Sequence, residues 1–135
     1  MVCALDGTCV TRELWTGFME APAFKARRRN RHLEQGIQNS ILKVLRLDRR
    51  VAWVARINTG AYKTPDGRFI RYGFPGCPDL IGQMRDGRLL AIECKADGGR
   101  LTADQAAALE TIRANNGVCG VARSVEEALA LLGGA

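Results

Sequence analysis

The sequence predicts an α/β domain in which a small mixed β-sheet is flanked by α-helices. Three observations carry that expectation. Apolar residues recur at helical spacing across residues 28–47, short β-branched runs bounded by Gly, Pro and Asn follow, and two Ser/Thr capping signatures open short helical periods near the C-terminus. The chain has 135 residues, 47% of them hydrophobic and 25% charged, which is the usage of one ordinary globular domain. That balance argues against collagen-like, disordered and coiled-coil classes.

Taken in order, residues 1–25 show no sustained period, and Pro22 is read as a breaker, so they are treated as a leader or arm and residues 26–135 as the folded domain. Leu33, Ile37, Ile41, Val44 and Leu45 then form the stripe of an amphipathic helix over residues 28–47, with Glu34 and Gln38 beside it. The run from Val51 to Asn58 reads as a strand ended by Thr59-Gly60. Pro65-Asp66-Gly67 sits between flanks that interleave Tyr62, Phe69 and Tyr72 with Lys63, Arg68 and Arg71, the pattern of a hairpin excursion. A Gly/Pro loop from Gly73 to Pro78 leads into a strand from Asp79 to Met84. The turn Arg85-Asp86-Gly87-Arg88 returns the chain into a second, antiparallel strand from Leu89 to Lys95. Thr102 with Gln105 forms a capping box for a helix from Ala103 to Asn115, Val118 to Ala122 is a strand, and Ser124 with Glu127 opens a last helix.

Charge is uneven. Residues 1–74 hold 14 Lys and Arg against 6 Asp and Glu, whereas residues 75–135 hold 6 against 8. Lys25, Arg27, Arg28, Arg29 and Arg31 place five cations within seven residues, the electrostatic footprint of a polyanion partner or of a solvated basic face. The five cysteines contain no C-x-x-C pair, and the chain has one histidine, so a cysteine/histidine metal site is not expected and reduced thiols in a cytoplasmic setting are. No apolar run is long enough to span a membrane, and Asp6 cuts short the opening Val2-Cys3-Ala4-Leu5, so neither a membrane anchor nor a secretory signal is expected.

The chemistry concentrates at Asp79, Glu93 and Lys95. Glu93 and Lys95 are two apart on a strand and so share a face, and Asp79 heads the neighbouring strand. Paired carboxylates are the hard-oxygen donors that Mg²⁺ accepts, and a lysine beside them can orient a water or steady charge on a phosphate, which is equipment for phosphodiester hydrolysis. An ordinary Glu/Lys pair at a frayed strand end is the alternative.

Three blocks in order are more specific: Gly76-Cys77-Pro78-Asp79-Leu80-Ile81-Gly82, then Gly87-Arg88-Leu89-Leu90-Ala91-Ile92-Glu93-Cys94-Lys95, then Arg100-Leu101-Thr102-Ala103-Asp104-Gln105. Over about residues 31–133 the chain resembles the virus-type replication-repair nuclease (VRR-NUC) family of the PD-(D/E)XK superfamily, in its small stand-alone phage and bacterial form. The resemblance implies the restriction-endonuclease-like fold. It implies further that Asp79 and Glu93 bind Mg²⁺ or Mn²⁺ with the main-chain carbonyl of Cys94, that Lys95 is the catalytic lysine, and that Glu34 supports the metal through water. Gln105 matches the glutamine that faces the active site from the following helix, although the capping box already gives it a structural role.

The resemblance also implies a metal-dependent, structure-selective DNA endonuclease like a Holliday-junction resolvase, acting as a homodimer in the host cytoplasm without an organic cofactor. Arg27, Arg28, Arg29, Arg31, Lys63 and Arg71 would serve phosphate and shape recognition. A flap- or lesion-processing nuclease, a less selective nuclease of the same fold, and a non-enzymatic nucleic-acid-binding module remain the alternatives.

Overall fold

Helix α1 (Pro22–Leu45) starts at Pro22 itself rather than near Arg28. Proline at the first helical position lacks only an N–H that would be unpaired there anyway, and its fixed φ suits the helix; the short helix over residues 13–20 that Pro22 is expected to end lies outside the described residues. The computed structural model describes the backbone of residues 2–3, 9–10 and 22–133 and the side chains of residues 31–133. Internal packing divides the chain into Met1–Leu33 and Glu34–Ala135. The first unit holds the beginning of α1 and two short antiparallel strands, β1 (Val2–Cys3) and β2 (Cys9–Val10).

In the second unit a four-stranded mixed sheet runs in the order β3 (Val51–Arg56), β6 (Leu80–Met84), β7 (Leu89–Cys94), β8 (Val118–Ala122). The first three strands are antiparallel neighbours, and β8 joins β7 in parallel after the crossover helix α2 (Ala103–Ala114). Thr102 and Gln105 close the expected capping box at the start of α2, and Asn116, at φ 66, carries the chain out of it. Ser124 caps α3 (Val125–Leu131). Between β3 and β6 the chain leaves the sheet to form a separate two-stranded hairpin, β4 (Gly60–Lys63) and β5 (Phe69–Tyr72), every residue of which is exposed.

Period-two alternation on β7 sends Leu90, Ile92 and Cys94 to one face. There they join Leu80, Val54 and Ala122 against Ile41 and Leu45 of α1 and Ala128 of α3. The other face sends Ala91 toward Leu109 and Ile112 of α2. With helices on both sides the strand is covered twice, as its nearly unbroken apolar composition predicts. The consequence for chemistry is direct: Glu93 and Lys95 lie on the α2 face, at the end of a strand that is buried from Leu90 to Cys94.

Candidate active site

Glu93 lies on the buried strand with only 3% of its surface exposed. A carboxylate there is costly unless partnered, and two groups partner the same oxygen. Lys95 Nζ lies 3.0 Å from Glu93 Oε1, and Gln105 Nε2 donates to that atom at 2.7 Å. Gln105 uses both ends of its amide: its Oε1 accepts from the Thr102 N–H at 2.9 Å while its Nε2 reaches Glu93. Because a backbone N–H can only donate, the amide orientation is settled by geometry. The capping role and the site role of Gln105 are therefore one arrangement.

Asp79 stands just before β6, whose register sets Leu80 opposite Ile92. Its main-chain oxygen accepts from the Ile57 N–H at 2.8 Å, and its Oδ2 accepts from the Cys94 N–H at 2.9 Å. The carboxylate is thus tied to the strand that carries Glu93. Burial and, next, the negative charge of Asp79 push Glu93 up to about 7, while Lys95 pulls the other way. Burial, then the charges of Asp79, Glu93 and Glu34, push the Cys94 thiol up to about 12, which keeps it a protonated, inert part of the core. Glu34, half-buried on α1, is therefore close enough to act electrostatically on the same strand end.

Asp79, Glu93, Lys95 and Gln105 are linked by these contacts, whereas among the described residues no hydrogen bond or ion pair joins Glu34 to them. Arg31, Lys63 and Arg71 are exposed, with the Arg71 guanidinium 5.4 Å from the centre of the Phe69 ring. The side chains of Arg27, Arg28 and Arg29 lie outside the described residues. Two features escaped the sequence reading. Arg123 Nη2 donates to Gly99 O at 2.8 Å and so braces the turn that follows Lys95. Gly76, at φ +77, backs so closely onto the main chain of Asp104 that the loop before Asp79 and the first turn of α2 meet without a side chain between them.

This fold and these residues coincide with one family model. The VRR-NUC domain model matches residues 23–126. The chain belongs to the VRR-NUC family. It is accordingly a nuclease of the PD-(D/E)XK type, with the mixed sheet and flanking helices of that fold. No curated protein matches it. Among the described residues no helix is long and apolar enough to cross a membrane.

Nucleases of this type generally use divalent metal ions, and the donors here fit one. Asp79 and Glu93 supply hard carboxylate oxygens, and among the described residues Glu93 Oε2 is buried with no hydrogen-bond partner, an acceptor that a cation would satisfy. Among the described residues no group of three or more His, Cys, Asp or Glu side chains is placed to hold a metal ion.

Proposed function

We propose that this VRR-NUC nuclease is a metal-dependent endonuclease that cuts branched DNA. In this reading it acts in the cytoplasm as a homodimer, so that two sites can incise opposed strands of a four-way junction. The observation that carries the reading is the asymmetric use of Glu93: Oε1 is engaged by Lys95 and Gln105, and Oε2 is buried with no hydrogen-bond partner among the described residues.

Mg²⁺ or Mn²⁺, held by Asp79, Glu93 and the Cys94 carbonyl with Glu34 acting through water, would polarise the scissile phosphate and activate a water. Gln105 fixes the Glu93 rotamer, so that the free oxygen cannot turn away from the cation site. Lys95, its side chain 13% exposed, is anchored by Glu93 and presents its remaining N–H donors to the attacking water and to charge forming on the phosphate. Arg27, Arg28, Arg29, Arg31, Lys63 and Arg71 bind backbone phosphates. Small size and exposed cations support recognition of shape over sequence.

The test is cleavage of a labelled four-way junction, a splayed flap and a linear duplex by wild type and Lys95→Ala, each with Mg²⁺, Mn²⁺ or EDTA. Paired symmetric nicks on the junction, lost in EDTA and in the variant while binding persists, are the expected result. Cutting of the flap alone keeps a nuclease but overturns the junction and dimer reading. Binding with no cutting under any condition makes the chain a non-enzymatic module.

A further inference from the structure

The β4–β5 hairpin carries no part of either hydrophobic core, yet it is rich in aromatic side chains. Its register pairs Tyr62 with Ile70 and Gly60 with Tyr72, placing Tyr62, Ile70 and Tyr72 on one face. Lys63, Phe69 and Arg71 share the other. An isolated two-stranded ribbon is marginal in water; the Tyr72 ring covers Gly60 across the strands, yet the ribbon's rings remain largely open to solvent. At its root an open hollow of about 410 Å³ is lined by Thr59, Arg71, Tyr72, Phe74 and Asp104. Tyr72 and Phe74 are 47% and 53% exposed there, and Phe74 and Asp104 also border an adjoining groove along α2.

We propose that this hollow receives an unpaired nucleobase of the DNA strand being cut, an inference that rests on the nuclease reading above. Four features select that occupant. Around the hairpin, Arg56, Lys63, Arg68 and Arg71 face one carboxylate, Asp66, which Arg68 already pairs at 2.8 Å, so the surface complements a polyanion. The residues lining the hollow include two aromatics, Tyr72 and Phe74, with Arg71 and Asp104. A phosphate would be repelled by Asp104, whereas a base offers a face to the rings and amino or imino hydrogens to the carboxylate. The guanidinium of Arg71 suits either the adjoining phosphate or the base plane. The hollow also abuts the catalytic group through the chain itself, because Asp104 precedes Gln105, and Phe74 lies on the loop that leads to Asp79.

A base enters such a site at least cost where it is already unstacked, so the hollow favours branch points, gaps and flaps over intact duplex. It makes Tyr72 and Phe74 specificity determinants that the positively charged residues alone would not provide.

The experiment is a coupling cycle on the full chain. Binding in EDTA, followed by fluorescence anisotropy, compares a gapped duplex, the same gap with its unpaired nucleotides made abasic, and an uninterrupted duplex. Wild type is expected to lose about tenfold in affinity on removal of the bases, and Phe74→Ala to show almost no further loss. Phe74→Ala and Tyr72→Ala should each lower the preference for gap over duplex by about tenfold, and Phe74→Trp should restore it. An abasic penalty of equal size in wild type and Phe74→Ala overturns the proposal. So does a lost preference accompanied by a change from dimer to monomer in sedimentation, which would make this face a contact between two copies. Parallel cleavage assays in Mg²⁺ and Mn²⁺ separate the two readings. No cutting by wild type removes the nuclease reading and this one with it, and cutting with an unchanged gap preference removes only the base site.

Discussion

Replacing Gly76 by alanine tests whether the active site is clamped from outside its own side chains. An ideal Cβ at this position would lie 2.1 Å from the Asp104 carbonyl oxygen, 2.4 Å from its carbon and 2.8 Å from the Gln105 nitrogen. All three are backbone atoms, so no rotamer change relieves the collision, and the loop must withdraw from α2 by more than an ångström. The left-handed backbone, φ +77, adds about 1–2 kcal/mol for any residue with a Cβ. Withdrawal pulls Asp79 one way and Gln105 the other, breaking the 2.7 Å bond to Glu93, and a charge-assisted hydrogen bond of that kind is worth about 1.5–3 kcal/mol. The expected destabilisation is about 3–4 kcal/mol, with activity down about a hundredfold, the usual consequence of an ångström's misplacement in a catalytic group. Gly87→Ala is the matched comparison. It has φ +95 in the β6–β7 turn and nothing within 4 Å of its Cβ, so it should lose only the conformational part and keep its turnover. Thermal melting by circular dichroism and nuclease turnover would be measured on both. If Gly76→Ala melts and cuts like Gly87→Ala, the clamp does not exist and the reasoning from close approach is wrong.

Other outcomes follow from single groups. Glu93 is raised in the folded chain, so its charge destabilises the fold as pH climbs from about 4.5 through about 7 and costs nothing below that window. In EDTA, Glu93→Gln should therefore match wild type in urea denaturation at pH 4 and exceed it by on the order of 2–3 kcal/mol at pH 8; an advantage that does not grow with pH would refute this. Asp48 behaves oppositely: hydrogen bonds from Arg50 lower it to about 2, so its stabilising effect is complete above 3.8 and fades as pH falls toward 2. Asp48→Asn should cost no more than about 1 kcal/mol at pH 7 and nothing near pH 2, read as the difference in melting temperature from wild type. Leu90, fully buried, should lose about 2–5 kcal/mol on change to alanine, and its half-exposed neighbour Leu89 no more than about 0.5; comparable urea midpoints for the two variants would contradict the β7 register.

What could be read from the sequence was whatever depends on neighbours along the chain. Thr102 and Gln105 announce a helix start by spacing alone, and Pro65-Asp66-Gly67 announces a reversal, and both stand in the structure. The convergence of Glu93 and Lys95 follows from period-two geometry on one strand. The start of α1 was placed too late because no apolar stripe marks its first turns, whereas proline is favoured at a first helical position. The hairpin excursion around Pro65-Asp66-Gly67 was legible from its turn residues, and β4 and β5 do pair as a sheet of their own. Gly76 against Asp104, and Arg123 against Gly99, join residues more than twenty positions apart through backbone atoms, leaving no pattern in the side chains to find. The double use of the Gln105 amide sits between these cases: each half was visible as an alternative, and only coordinates show that they coexist.

The hairpin leaves the sheet after Arg56 and re-enters at Leu80, and these two residues are register partners, with Ile57 and Asp79 bonded just beyond them. Its entry and exit are thus side by side on a ladder that closes without it. A segment mounted in this way can be lengthened, shortened or exchanged while β3 and β6 keep their pairing, since doubling a loop costs only about 0.6 kcal/mol of closure entropy. The part open to exchange ends before the Phe74–Pro78 stretch, which carries Gly76 and is held by α2. The ribbon can therefore change in length and side chains while the carboxylates, the lysine, the sheet and the Phe74–Pro78 stretch stay as they are.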